Sequence, residues 1–364
     1  MRISLAFNWK QDLLDQIAQH PDIKANLHDV YGSYDFTFTG SGRPFFLMPK
    51  LAKYEVEEMI NNVHDLGLKF TWLWNGECLG YYKFNAEEQT KALKELDWLD
   101  DLGVEYLTVS DPYLARFAKN YFPSLKLKVS VISEVNSVSR AKEWADIIGK
   151  KGVLTLSIMT NKNFPMLKEI KDSVACDIEL LTNDCCLNEC PFRYFHYTEC
   201  SHASQVHDSL KGYYNDWSTM ACQNQKCMHP EQVVMCRWIQ PNDVPNYINI
   251  GIDYFKISGR RYGTPWLFKA LQAYSKNDYD GNLGEIYNAY SFVSDPLQLA
   301  NPQFSEYSSR QEQMGGNPDD MSIMLGIPDF KAKFSAKDLN GFIDKIPYGG
   351  ERCAELCGVI CTYC

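Results

Sequence analysis

The sequence predicts a (β/α)8 barrel, a closed ring of parallel strands in which each strand is followed by a helix. Three observations predict it. About eight short apolar runs recur along Met1–Arg261, helical patterns separate them, and polar residues follow their carboxyl ends. Such alternation implies right-handed βα units and a parallel sheet, for which a doubly wound open sheet is the alternative.

Each predicted strand is a short run that is apolar throughout or alternates with a period of two. The eight runs are Arg2–Asn8, Asp29–Phe36, Leu68–Asn75, Val104–Ser110, Leu125–Ser133, Val153–Met159, Cys176–Asn183 and Asp253–Gly259. Helical spacing or helix-start residues mark the intervening segments. They include Pro49–Leu66, Glu87–Leu102, the start at Asp111-Pro112, Asn136–Ile148, Pro265–Tyr274 and Leu283–Tyr290.

The pattern divides the chain into two regions. Residues 1–290 form the predicted barrel, and residues 291–364 form an extended C-terminal region that ends in a second group of cysteines. Within the first region the alternation lapses over residues 184–240, directly after the seventh predicted strand. A loop of that length in a compact domain is usually functional, and this one carries most of the cysteines.

Composition narrows the class of protein. The 364 residues carry a net charge of −10 and are 45% hydrophobic and 23% charged, which is typical of a soluble globular protein. No extended basic stripe is present, so nucleic acid is disfavoured as a partner. No run of apolar residues is long enough to cross a membrane and no secretory signal is visible, so we expect a cytoplasmic protein.

The cysteines are clustered. Seven of the thirteen lie from Cys185 to Cys236 and four from Cys353 to Cys364. In a reducing compartment such clusters are typical of metal ligands rather than disulfides. The first group supplies Cys186-x3-Cys190 and, downstream, Cys222-x4-Cys227 and Cys236, which suit an iron–sulfur cluster or zinc. We expect Cys176, Cys200 and one of the adjacent Cys185 and Cys186 to take no part.

The second cysteine group ends the chain. Cys353, Cys357, Cys361 and Cys364 are four thiols within twelve residues, which indicates one closed site. The last three have the spacing found in radical S-adenosylmethionine enzymes, although there the motif follows the first strand of the barrel. An accessory electron-transfer or structural cluster, or a zinc site, is the alternative.

Polar residues at the predicted strand ends are candidates for substrate binding and catalysis. The two sets are Asn75, Asn136, Lys256 and Arg260 for binding, and Arg193, His196 and His202 for catalysis. Basic groups at the mouth of a barrel suit an anionic substrate. If "CPFRYFHY" is helical, Arg193 and His196 share a face on which they could bind a carboxylate. The sequence contains no HExxH zinc motif and no GxGxxG or GxxxxGK[ST] phosphate-binding motif.

Three segments resemble the collagenase-like peptidase family, the thirty-second of the unclassified peptidase families. They are "LLTNDCCLNECPFRYFHY", "SHAS" and "WIQPNDVPNYINIGIDYFKISGR", and the resemblance spans roughly Met1–Tyr290. It implies a [4Fe–4S] cluster, with Cys186, Cys190 and Cys227 as ligands. For the fourth ligand we favour Cys222 by its spacing, with Cys78 and Cys236 as alternatives.

The resemblance also implies an activity. Better understood members resemble oxygen-independent hydroxylases, for which prephenate is the implied hydroxyl donor, and other members are assigned as peptidases. We therefore expect redox modification of a small molecule or peptide, with an anionic donor and one or two clusters. The terminal cysteines would relay electrons from a ferredoxin-like partner. A metallopeptidase and a radical enzyme using Cys357, Cys361 and Cys364 are the alternatives.

Overall fold

The computed structural model contains a closed barrel of eight parallel strands in which β8 pairs with β1, so the predicted (β/α)8 fold is confirmed and the open sheet is wrong. The structure describes residues 1–35, 37–43, 48–205, 217–229 and 231–289. The strands are β1 Arg2–Ala6, β2 Leu27–Gly32, β3 Lys69–Trp74, β4 Tyr106–Val109, β5 Lys126–Val129, β6 Val153–Thr155, β7 Asp177–Leu181 and β8 Tyr254–Ile257.

Helices follow the strands and cover the outside of the barrel. They are α1 Gln11–Gln19, α2 Pro21–Lys24, α3 Lys53–Asp65, α4 Ala86–Asp101, α5 Pro112–Tyr121, α6 Val138–Ile148, α7 Phe164–Ser173, α8 Arg193–Ala203, α9 Trp217–Met228, α10 Glu231–Met235, α11 Val244–Asn249 and α12 Thr264–Lys276. Two expectations need correction. The long loop after β7 carries α8, α9 and α10, and Leu283–Glu285 forms a single 3-10 turn rather than a helix.

Polar caps start the helices that leave the carboxyl ends of the strands. Asp111 accepts a hydrogen bond of 2.7 Å from the backbone amide of Tyr113, and Pro112 occupies the first turn, as the sequence predicts. Asn85 caps α4 in the same way through the amides of Glu87 and Glu88. These caps fix the residue at which each of these two βα loops ends. They therefore set the length of the loops at the carboxyl end of the barrel.

An arginine joins the first and last strands at the amino-terminal end of the barrel. Arg2 donates hydrogen bonds of 2.6 and 2.9 Å to both carboxylate oxygens of Asp177 on β7. It also donates one of 2.8 Å to Asp253, directly before β8. The amino-terminal end is thereby closed by structural contacts, and the opposite end is left for function.

Two further expectations concern membrane-spanning segments and the C-terminal region. None of the described helices combines the length and apolarity needed to cross a bilayer. The predicted C-terminal region and its cysteines, Cys353, Cys357, Cys361 and Cys364, lie outside the described residues.

Candidate functional site

The carboxyl ends of the strands form one mouth, and most of the residues predicted for the site lie there. Asn75 follows β3, Lys256 lies on β8 and Arg260 follows it. Arg193 and His196 lie on α8, which begins in the loop after β7. Asn136, in the segment after β5, is exposed, and His202 is half-buried near the end of α8.

Three thiols of the first cysteine group approach one another at this mouth. Cys186 and Cys190 follow β7, and Cys222 lies on α9. Cys222 is close enough to both Cys186 and Cys190 for the charges of their thiolates to interact. Burial raises the pKa of Cys186 to about 12, and nearby Asp184 adds to the rise. Cys186 and Cys222, whose pKa values burial raises, therefore become thiolates readily only beside a compensating positive charge.

Two buried cations supply positive charge beside the thiols. The Lys226 ammonium donates a hydrogen bond of 2.8 Å to the Ala289 carbonyl oxygen. Burial acts to lower the pKa of Lys226, but Cys222 and the other nearby sulfurs outweigh it and raise that pKa. Arg193 likewise lowers the pKa of Cys186 against the effect of burial. The two cations thus favour the thiolate forms of Cys222 and Cys186.

The two alternative fourth ligands have structural partners of their own. A hydrogen bond from Cys185 lowers the pKa of the Cys236 thiol, although burial opposes it, so these two sulfurs are in contact. The Cys78 amide donates to the Ser201 hydroxyl oxygen at 3.3 Å, which fixes the loop after β3 against α8. Cys222 therefore stays our predicted fourth ligand. Cys227 lies five residues further along α9, and the side chain of Cys227 lies outside the described residues.

The cysteines expected to take no part lie apart from this group or are engaged elsewhere. Cys176 lies just before β7, at the opposite end of the barrel, and burial raises its pKa to about 11. Cys200 is buried within α8, with its sulfur 3.5 Å from His196 Nε2. In the described part of the chain, no three His, Cys, Asp or Glu side chains form a group that could hold a metal ion.

Arg193 binds a carboxylate of the chain itself. The segment "RYFHYTECSHA" is helical, and Arg193 Nη1 donates to Glu134 Oε2 at 3.3 Å. Its Nη2 donates to the Leu187 carbonyl oxygen at 2.9 Å, which ties α8 to the thiol-bearing loop. Arg193 therefore positions that loop as well as placing charge beside Cys186.

A group of carboxylates at the ends of β3, β4 and β5 was not predicted from the sequence. Glu77 lies two residues beyond Asn75, and its charge interacts with those of Glu134 and Asp111. Burial raises the pKa of Glu77 to about 7, and the two neighbouring carboxylates add to the rise. Asp111 forms an ion pair with Lys83. A carboxyl that titrates near neutral pH can exchange protons with a substrate.

Cations line the opposite side of the mouth. Arg260 Nη1 donates to the Ser33 hydroxyl oxygen at 3.2 Å, and burial with nearby Arg43 lowers the pKa of Arg260 to about 9. The Lys256 ammonium lies 4.0 Å from the centre of the Tyr31 ring, and burial lowers its pKa to about 8. Arg43 was not predicted, since it follows β2 at a distance of eleven residues and no motif marks it.

Known proteins similar to this chain share the fold and the family pattern. The sequence profile of peptidase family U32 matches residues 48–186. An uncharacterized protease of Methanocaldococcus jannaschii, MJ1657, is 29% identical over 269 residues, which span 72% of this chain and 76% of that protein. Over these stretches the chain is similar to peptidase family U32.

A solved structure agrees with this similarity at the level of fold. The U32 peptidase Mk0906 superimposes on this chain with a TM-score of 0.52 and 20% identity, covering 71% of this chain and 94% of that one. At that identity the likeness shows the fold alone. The family profile ends at Cys186, so α8, α9 and β8 lie beyond the matched residues.

Proposed function

We propose that this protein is an iron–sulfur enzyme that modifies a small molecule or peptide by oxygen-independent hydroxylation or a related redox reaction. Its [4Fe–4S] cluster would be held by Cys186, Cys190, Cys222 and Cys227. One observation carries the proposal. Cys222 on α9 interacts electrostatically with both Cys186 and Cys190 of the loop after β7, at the carboxyl end of the barrel, where catalytic groups of this fold lie.

The donors and their surroundings suit such a cluster. Thiolates are the ligands that iron–sulfur clusters use, and Cys186, Cys190 and Cys222 are all partly shielded from solvent. A cluster with four thiolate ligands carries net negative charge, which Lys226 and Arg193 are placed to offset. When bound, the cluster would supply one-electron transfer or an iron site for an oxygen ligand.

The other side of the mouth suits the oxygen donor. Lys256 is a buried cation, and Arg260 and Arg43 add charge beside it. Together they would bind and orient carboxylates of the reactants, including one of an anionic donor such as prephenate. Electrons would come from a ferredoxin-like partner, through the C-terminal cysteines if these also hold a cluster.

Metal analysis of matched variants tests the proposal. The protein would be purified without oxygen as wild type, Cys222→Ala and Cys176→Ala, and its iron, sulfide and zinc would be counted. We expect Cys222→Ala to lose the iron of the mouth and Cys176→Ala to keep it, because Cys176 lies at the opposite end of the barrel. Equal iron in all three proteins would refute the ligand assignment.

A peptidase is the second candidate, since the relative from M. jannaschii is named a protease and Mk0906 a peptidase. The contact of 3.5 Å between Cys200 Sγ and His196 Nε2 joins a nucleophile to a base. Hydrolysis of gelatin in air would support this function. Its loss in Cys200→Ala would indicate a cysteine peptidase, and its loss with a chelator a metallopeptidase.

A radical enzyme would use Cys357, Cys361 and Cys364. The test is cleavage of S-adenosylmethionine by the reduced protein. Product formed by wild type and not by Cys361→Ala would place the chemistry at the terminal group instead of the mouth.

A further inference from the structure

We propose that the substrate bound at the mouth is zwitterionic, with an amine held at the ends of β3 and β5 and a carboxylate held at the end of β8. The amine subsite stands on its own observations, whereas its use as a substrate site rests on the proposed function. The inference comes from polar atoms on both sides of the mouth that lack partners among the described residues.

Three buried oxygens make up the amine subsite. Asn75 Oδ1, Glu77 Oε2 and Glu134 Oε1 accept no hydrogen bond from any residue that the structure describes. Asn75 is 8% exposed and Glu134 is 3% exposed, so water is largely excluded from both. Unpaired buried acceptors of this kind are rare, because a polar atom that loses its water without gaining a partner destabilises the fold.

The orientation of Asn75 and Glu134 is fixed by their other atoms. Asn75 Nδ2 donates to the Ser130 hydroxyl oxygen at 3.0 Å, across the end of β4. Glu134 Oε2 accepts from Ser157 at 2.6 Å and from Arg193 at 3.3 Å. The remaining oxygens therefore cannot turn to new partners without breaking these bonds.

A primary ammonium group matches these acceptors. It has three N–H donors and no acceptor, and it brings the positive charge that the carboxylates favour. Asp111 already has Lys83 as its partner and Glu134 has Arg193. Glu77 is the carboxyl whose charge is not matched by an ion pair among the described residues, so it would bind the charge of the ligand.

The carboxylate subsite faces the amine subsite across the mouth. In the ring of eight strands β8 lies opposite β4, and β3 and β5 flank β4. Arg43 Nη1 is buried and donates no hydrogen bond to any described residue. Burial and the charge of Arg261 lower the pKa of Arg43, which indicates that the cations repel one another until an anion binds. A molecule that carries an ammonium group and a carboxylate would pair with the unpaired atoms of both subsites at once.

Binding of simple probes to the full-length protein tests the inference. Calorimetry would compare ω-amino acids of four to eight carbons with dicarboxylates and diamines of the same lengths. We expect at least one ω-amino acid to bind about tenfold more tightly than both the dicarboxylate and the diamine of the same length. The inference is wrong if the dicarboxylate binds as tightly as the ω-amino acid at every length, or if no ω-amino acid binds.

Variants assign the two subsites. Glu77→Gln should weaken the best ω-amino acid about tenfold and leave the dicarboxylate unchanged, whereas Arg260→Met should weaken both. Glu58→Gln and Arg116→Met, at exposed positions on α3 and α5, are the controls and should change neither. Equal effects of Glu77→Gln on both ligands would overturn the assignment.

The same titrations on Cys222→Ala separate this inference from the proposed function. Preference for the ω-amino acid in protein without iron would support the zwitterion site even if the cluster is refuted. Iron in the wild type with no such preference would refute the zwitterion site alone.

Discussion

The Lys128 ammonium lies 2.9 Å from Asp29 Oδ2 at the centre of the barrel, and neither side chain has any exposure to solvent. Lys128 also donates to the Tyr254 hydroxyl oxygen at 2.7 Å and to Glu179 Oε1 at 3.3 Å. Glu179 in turn lies 3.9 Å from Lys256 at the mouth. A fully buried ionic network thus forms the floor beneath the candidate site.

Loss of Lys128 should destabilise the barrel strongly. Burial acts to raise the pKa of Asp29, but Lys128 and the hydrogen bonds from Thr71 and Tyr254 lower it to about 2. Lys128→Met leaves the buried Asp29 without its cation and removes one of the two cations beside Glu179, so we expect the free energy of unfolding in urea to fall by about 3–5 kcal/mol. Lys168→Met, at an exposed pair, should change it by less than about 1 kcal/mol. Equal effects of the two substitutions would contradict this account.

Stability should depend on pH through His28 at the amino-terminal end of the barrel. Burial lowers the pKa of His28 from 6.5 to about 4, so between these values the unfolded chain binds a proton that the folded chain does not. Its contribution is complete above pH 6.5 and is lost as the pH falls towards 4.

A matched pair of variants measures that contribution. Between about pH 7 and about pH 4.5, the free energy of unfolding should fall further in wild type than in His28→Gln. The difference should be about 1–2 kcal/mol, because His28 is partly exposed. His229→Gln, at an exposed position, should behave as wild type. A loss in His28→Gln as large as in wild type would show that His28 does not titrate in this way.

Close packing of the loop after β3 against its neighbours makes Gly76 sensitive to substitution. A Cβ atom at Gly76 would lie 1.8 Å from the Thr39 carbonyl oxygen and 2.7 Å from the Ser201 hydroxyl oxygen. Because the first is a backbone atom, Gly76→Ala should cost about 3 kcal/mol and displace the loop that carries Glu77. Thermal unfolding would check this, with Gly42→Ala, where the new atom meets nothing within 4 Å, as the control. Equal melting temperatures would contradict the packing.

The charge of Lys226 should tune the proposed cluster. Removing a buried cation beside the cluster disfavours its more negative, reduced form, so Lys226→Met should lower the midpoint potential. Lys226→Arg keeps the charge and should stay close to wild type. A potential that is unchanged in Lys226→Met, measured by redox titration of the visible spectrum, would show that Lys226 does not act on the cluster by its charge.

Local patterns in the sequence predicted the barrel well. The start of α5 at Asp111-Pro112 and the strand before the cysteine loop depend on nearest neighbours, so capping preference and apolar runs suffice to find them. Helix α8 was missed as a helix because its eleven residues carry few aliphatic side chains and no clear apolar stripe.

The site itself depends on contacts between residues far apart in the sequence. Glu77 and Glu134 become neighbours only when β3 and β5 enter the same ring, and Arg43 reaches Arg260 only through closure of β8 on β1. The sequence predicted the polar strand ends Asn75, Lys256 and Arg260, but no local pattern indicated which charges would face them.

The most direct test of the central claim is EPR of the reduced protein, purified without oxygen, with Cys353, Cys357, Cys361 and Cys364 all changed to Ser. Any signal then comes from the barrel. The account predicts the spectrum of a reduced four-iron cluster, with about four irons and four sulfides per chain, and its loss when Cys186→Ala is added. A colourless protein that contains zinc and no iron would contradict it.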